Sequence, residues 1–169
     1  MILRKRLSQT MKNSLIFAIL TILTAILMGC TMKKPTRVLT QIDYSISSGA
    51  ILPELQADET FVITPDGVTF TRTGRTADTV VEQGTWSYYV EPALIHQLFQ
   101  ELLPFDCSRA VRVEPEDPLD GGYSEAYTFH YTDGSSCTLH FDPGVTYHNA
   151  DQAVKSVLAF VGPLMLQYE

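Results

Sequence analysis

The sequence predicts an α+β domain: an antiparallel sheet built from two hairpins, packed against two amphipathic helices. Three observations carry that prediction. Two pairs of apolar, strand-like runs meet at Asp-Gly turns, one at Pro65-Asp66-Gly67 and one at Asp133-Gly134. Two stretches, after Pro92 and after Asn149, repeat apolar residues at helical spacing. Neither set can bury its apolar side alone, so helices on one sheet is the economical arrangement.

The first 29 residues read as a leader and are set aside before fold is considered. Arg4, Lys5, Arg6 and Lys12 form a positive start, and Leu15 to Met28 is apolar apart from two threonines. That run is short for a membrane span, which needs roughly 20 residues, and suits a signal peptide. Met11 offers a second start beside Met1. Leu27-Met28-Gly29-Cys30 ends the run and resembles the lipobox of bacterial lipoproteins, with Met28 larger than usual at its position. The resemblance implies cleavage before Cys30 and lipidation of its thiol, so the partner at this end is a membrane. Two or three acyl chains would anchor stably where one is marginal. It also implies the location: the outer membrane facing the periplasm in a Gram-negative host, since Thr31 is not the retention Asp, or the outer face of the plasma membrane in a Gram-positive one.

Residues 31–40 are polar and basic, with Pro35, and read as a tether spanning at most about 35 Å. Residues 41–169 then form one domain. All 19 acidic residues but only eight of the 12 basic ones lie beyond the leader, giving the remaining 140 residues a formal charge of −11. Such a balance excludes a nucleic-acid surface, which needs clustered Lys and Arg. Lys33, Lys34 and Arg37 are the basic exception, beside the anchor.

Ile42 to Ile46 alternates and reads as a strand ended by Ser47-Ser48-Gly49. Phe61–Thr64 and Val68–Thr71 flank Pro65-Asp66-Gly67, where Pro sets φ, Asp tolerates the turn and Gly supplies a positive φ. Val80–Glu82 and Thr85–Val90 read as further extended segments, with Trp86 an anchor. Pro92 opens a helix with Leu94, Ile95, Leu98, Phe99 and Leu102 as its stripe, and Pro104 ends it. Phe105 to Val113 is expected to hold a short strand carrying Cys107. In the second hairpin Tyr127, Phe129 and Tyr131 must face the same way as Cys137, Leu139 and Phe141, which requires an odd-numbered loop. Asp142-Pro143-Gly144 is another turn. Asn149 or Asp151 caps the last helix, with Ala153, Val154, Val157, Leu158 and Val161 inward, and Gly162-Pro163 breaks it. The echo between Phe61–Phe70 and Phe129–Gly134, each leading to one helix, raises an internal ββα duplication as an expectation.

With Cys30 lipidated, Cys107 and Cys137 remain as an even pair in a compartment that permits disulfides, and a bridge between them is expected. No Gly-x-Ser-x-Gly, His-Glu-x-x-His or phosphate-binding glycine loop occurs, so neither a catalytic set nor a cofactor beyond the lipid is expected. His96 falls on the polar helix face. His130 and His140 point away from the apolar face of the second hairpin, with His148 close behind; they are the material for an alternative reading as a small hydrolase or a metal or ligand carrier. The segment Glu114 to Gly122 is acidic and carries two prolines. It lacks the alternating Asp pattern of a calcium loop. It reads by default as a solvated connection, and Glu114, Glu116, Asp117 and Asp120 make it a candidate contact for a basic partner.

From Ser45 to Val161 the order of elements resembles that of emfourin-type inhibitors of thermolysin-like metalloproteases. The shared features are Ser48-Gly49 at a strand end, a hairpin, Leu94, Leu98 and Phe99 on a helix, and Asp120 ahead of Tyr127-Thr128-Phe129-His130-Tyr131. An Asp-Gly turn and a last helix follow. The resemblance implies an α+β fold and a non-catalytic, protein-binding role, as an inhibitor or an assembly factor in the cell envelope. The lipobox and the two further cysteines depart from that pattern, and no inhibitory residue is carried over.

Overall fold

The computed structural model describes residues 37–117 and 121–165. The leader, the lipobox with Cys30, the tether as far as Thr36, and Asp120 lie outside the described residues. Those described belong to one unit, Arg37–Glu169.

They form an α+β domain with a larger sheet than two hairpins would make. Four consecutive strands form a meander: β1 (Leu39–Ser47), β2 (Ala57–Thr64), β3 (Gly67–Gly74) and β4 (Gly84–Tyr88). Helix α1 (Pro92–Leu102) follows, then a short β5 (Val111–Val113). β6 (Ser124–Tyr131) and β7 (Ser136–Phe141) come next, then β8 (Thr146–His148) and α2 (Asp151–Met165). The six-stranded sheet runs β4-β3-β2-β1-β6-β7, and every neighbouring pair is antiparallel. β5 and β8 pair separately.

Register decides what each face carries, because side chains alternate along a strand. One row across the sheet reads Tyr88, Val68, Ile63, Ile42, Phe129, Cys137. The next reads Trp86, Phe70, Phe61, Tyr44, Tyr127, Leu139. These two rows make the floor of the core. Its aromatic rings touch in sequence, with centroids 4.6 Å apart for Phe61–Phe70 and 4.9 Å for Tyr44–Tyr127. Each such pair adds about 0.5–1.5 kcal/mol beyond area burial. α1 covers the floor with Ile95, Leu98 and Leu102, and α2 with Ala153, Val157, Val161 and Leu164. The other face of the sheet is polar. Its hydroxyls pair across strands, as in Ser45 with Thr60 and Thr128 with Thr138.

The two turns differ in mechanism. Pro65 and Asp66 alone join β2 to β3, with Thr64 opposite Gly67, and Gly67 does not take the positive φ expected of it. Between β6 and β7 the Tyr131 N–H donates to the Ser135 carbonyl, which leaves Thr132-Asp133-Gly134 as the loop inside that pair; Gly134 has φ 77° and its N–H donates to the Tyr131 carbonyl. A left-handed glycine closing a three-residue loop sets the register of that pair.

Several local expectations are corrected. Val80–Glu82 is loop, because the backbone there bonds to the segment before β2: Val80 N–H donates to the Glu54 carbonyl. Cys107 sits in a 3-10 turn, Cys107–Arg109, and not on a strand; Asp106 opens that turn by accepting from the Ser108 N–H. Leu94 and Leu158 are exposed, whereas Ser156 on α2 is buried and donates to Glu101. α2 begins at Asp151, which lies in its first turn. Asn149 takes φ 63° and its side-chain amide donates to the Arg109 carbonyl. Gly162-Pro163 does not break α2, which runs through Pro163 to Met165. Proline removes the N–H that would bond Ala159, and Ala159 is exposed, so water can take its carbonyl.

Cys107 and Cys137 stand at disulfide distance, with Cα atoms 6.3 Å apart. The bridge ties the turn after α1 to the edge strand β7. On the chain-entropy scale a loop of this separation, 30 residues, is worth about 3–4 kcal/mol.

Candidate functional site

β1 runs from the end where the chain enters the domain to Ser47. Its antiparallel neighbours therefore bring the start of β2, the end of β3, the start of β4 and the start of β6 to that same far end. The loops there hold one another. The Arg75 N–H donates to the Gln56 carbonyl, Thr79 Oγ1 to the Glu54 carbonyl at 3.1 Å, and Gln56 Nε2 to the Ile51 carbonyl at 3.1 Å. Gly49 and Gly122 cross so closely that a Cβ on Gly49 would lie 1.2 Å from the Gly122 carbonyl oxygen. Gly121 and Gly122 are themselves left-handed, with φ 86° and 104°.

This far pole is where apolar surface is left uncovered. Of the eleven large apolar side chains exposed among the described residues, five are here: Ile51, Leu52, Leu55, Val80 and Tyr123. Val80 is 70% exposed, Tyr123 61% and Leu52 60%. An exposed leucine alone means little, but a cluster of this kind is a candidate interaction surface. Between Ile51 and Tyr123 lies a cleft of about 420 Å³ floored by Ile46, with Ala57 and Glu59 also lining it.

The charge around the patch is one-sided. Arg75 is bound to Asp58 at 2.7 Å and Arg72 to Glu59 at 2.6 Å. The Arg75 guanidinium, with help from the Ser47 hydroxyl, holds the Asp58 carboxyl below its ordinary range. Glu54, Asp78 and Glu82, and Glu116 and Asp117 in the acidic loop, have no ion pair among the described residues. The pole is thus apolar with a net negative margin.

The residues singled out in the acidic loop divide. Glu116 and Asp117 are exposed. Glu114 instead bonds Arg112, whose guanidinium also reaches the Asp142 carboxylate (2.7 Å) and the His140 carbonyl (2.8 Å). Glu114 therefore belongs to a brace fastening β5 to the end of β7.

The histidines do not converge. His130 Nε2 lies 2.8 Å from Asp43 Oδ2, with Gln41 donating to the other carboxylate oxygen, on the polar sheet face. His140 is exposed on β7, His148 is on β8 opposite Val111, and His96 is exposed on α1. Among the described residues no group of three His, Cys, Asp or Glu side chains could hold a metal ion.

Two arrangements escaped the sequence reading. The hydroxyls of Tyr44 and Tyr127 donate to the two oxygens of Glu125, at 2.7 and 2.9 Å. Burial, with the carboxylate beside them, pushes both phenols far above their ordinary range. Only the register, which puts Glu125 one row beyond Tyr127, reveals the pair. A groove of about 490 Å³ between α1 and α2 is lined by Leu94, Leu98, Phe160 and Leu164, with Tyr89 at its mouth. Glu101 accepts there from Ser156 at 2.8 Å and from Gln97 at 2.9 Å. The far pole carries a weak sequence signal, since Ile51-Leu52 is apolar yet bracketed by Gly49 and Pro53. No protein-family model matches the chain, and no curated protein matches it.

Proposed function

We propose that the chain is a membrane-anchored cell-envelope lipoprotein whose domain binds a protein partner and catalyses no reaction. The observation that carries this reading is the far pole: five exposed apolar side chains with a margin of unpaired carboxylates. Its complement is a partner surface with an aliphatic or aromatic anchor flanked by Lys or Arg. Apolar contact would supply most of the affinity, and the charges would set approach and specificity. The roles as inhibitor or as assembly factor both fit such a surface. Lipid on Cys30 would hold the domain at the membrane, in the periplasm or on the outer face of the plasma membrane according to the host.

The test is a pull-down from detergent-solubilised envelope using the lipidated wild type and the double variant Leu52→Asp/Val80→Asp. Both side chains are exposed, so folding should change little. A partner recovered reproducibly by the wild type and lost with the variant is expected, and its capture should weaken with salt. Failure to recover any reproducible partner sinks the proposal.

The alternative reading, a small hydrolase or a metal or ligand carrier, has one observation in its favour, the Asp43–His130 pair. Metal found in the purified protein, or a phenotype lost in His130→Ala and His140→Ala, would support it. The ββα duplication also remains a proposal: β2-β3-α1 and β6-β7-α2 share an order and flank β1.

A further inference from the structure

The opposite end of the sheet has its own uncovered surface, and it is built differently. Here the chain enters at Arg37 and Val38. A cleft of about 200 Å³ lies between this entering segment and one side of α1, lined by Val38, Leu39, Pro65, Ile95, Phe99 and Leu103 among others. No Asp, Glu, Lys or Arg lines it. Val38 is 44% exposed and Leu103 58%. Asp133, in the loop between β6 and β7, is paired with Arg37 of the entering segment at 3.6 Å, and Arg37 also lies over the Tyr131 ring. The other carboxylates at this end stand outside the cleft lining: Asp66 in the turn beside Pro65, Glu91 beside Pro92, and Asp106, which lies near Arg37.

We infer that this end of the domain rests on the bilayer surface, with Val38, Phe99 and Leu103 against lipid at the boundary of headgroups and acyl chains. The inference rests on the lipoprotein reading. Six residues, 31–36, separate Cys30 from Arg37, a span of at most about 25 Å. Whatever faces the membrane at the entering end is therefore held within reach of it at all times. An apolar cleft free of charged lining suits shallow contact with lipid, and the acidic far pole does not. Lys33 and Lys34, in the span itself, add attraction to anionic headgroups. The nine-residue β1 sets the two poles about 30 Å apart, so contact at one end presents the other to the aqueous space.

The test uses the full chain as it is made in the cell, purified with its lipid and returned to vesicles of phosphatidylethanolamine and phosphatidylglycerol. The vesicles contain a phospholipid with a diazirine high on its acyl chain. After irradiation, adducts are mapped by mass spectrometry, and the Cys30 peptide is read in the same digest. Adducts on the peptides holding Val38 and Phe99–Leu103 should exceed those on the peptides holding Leu52 and Val80 about tenfold, given the shallow burial of a surface-bound apolar face. Lipid on Cys30 with adducts absent from Val38 and Leu103, or spread evenly over both poles, overturns the inference and leaves the lipoprotein reading standing. A second copy or another protein covering the face would give that result. Cys30 without lipid overturns both.

Discussion

Replacing Gly49 with alanine should be costly out of proportion to one methyl group. An added Cβ would meet the Gly122 carbonyl oxygen at 1.2 Å and its carbon at 2.2 Å, against the 3.0 Å that such contacts almost never undercut. The two loops would have to part by about 2 Å, and both obstacles are backbone, so no side chain can swing aside. Gly122 has little room to retreat, because a Cβ on it would already stand 3.0 Å from Pro143. Overpacking of this kind costs about 2–3 kcal/mol. For a domain of this length each kcal/mol moves the midpoint about 3–4 °C, so Tm should fall by about 6–12 °C. Gly67→Ala is the matched control. Its φ is not positive and a Cβ there meets nothing within 4 Å. That change should lie within about 0.5 kcal/mol of the wild type, with a gain as plausible as a loss. Scanning calorimetry on both variants decides the matter. If Gly49→Ala melts within about 2 °C of the wild type, the close crossing at the far pole is wrong.

Other perturbations have calculable signs. Cys107→Ala/Cys137→Ala, or reduction of the wild type, should lower stability by about 3–4 kcal/mol in urea titrations, with non-reducing peptide mapping to confirm the bridge in the parent. Alkylation of both cysteines in the untreated wild type would remove the bridge and the expectation together. Acid should destabilise the domain through Asp58, Asp106, Asp133 and Glu101, whose carboxyls are all held below their ordinary values of 3.8 or 4.5, by Arg75, Ser108, Ser135 and Gln97 respectively. A lowered folded-state pKa adds stability that is complete above about pH 5 and is lost as pH falls through the folded value. Tyr44 and Tyr127 act at the other limit. Their raised values add stability below the unfolded phenol's 10.0 that is lost as pH rises beyond it. A melting temperature that stayed level from pH 6 down to about 2.5 would contradict the carboxyl assignments.

How far the sequence could be read follows from which interactions are local. The α+β class, the two helices and the cysteine pair rest on spacing within short windows or on compartment, and those signals survive without a structure. The errors cluster where a distant segment decides. Val80 carries strand-like neighbours, but the bond from its N–H to Glu54 makes it loop. Leu94 and Leu158 sit at core spacing yet are exposed, Leu94 because it lines the groove left open between the two helices. β5 and β8 are three residues each, too short for a periodic signal, and exist because Arg112 and Tyr147 fasten them to the end of β7. The far pole was the least legible part. Its residues come from three loops far apart in sequence, and only the direction of each strand gathers them.

The position of that pole is a consequence of register. The helices cover two rows of the inner face and leave a third, which reads Arg72, Glu59, Ile46, Glu125, Phe141. A third apolar row would have demanded a third covering element. Here the row is charged, and each charge is answered within the sheet: Glu59 by Arg72, Glu125 by the hydroxyls of Tyr44 and Tyr127 reaching out from the core. Those two phenols would be wasteful as pure core, since buried hydroxyls must find partners. They suit the place where a core ends and a polar margin begins. Ile46 and Phe141 are the apolar members of the row, and Ile46, set between the two carboxylates, lines the far cleft. The same boundary that closes the core therefore opens the site: an apolar floor between two fixed carboxylates, with Ile51 and Tyr123 above it. Changing Glu125 should accordingly disturb the packing of Tyr44 and Tyr127, whereas changing Leu52 or Val80 should disturb binding alone.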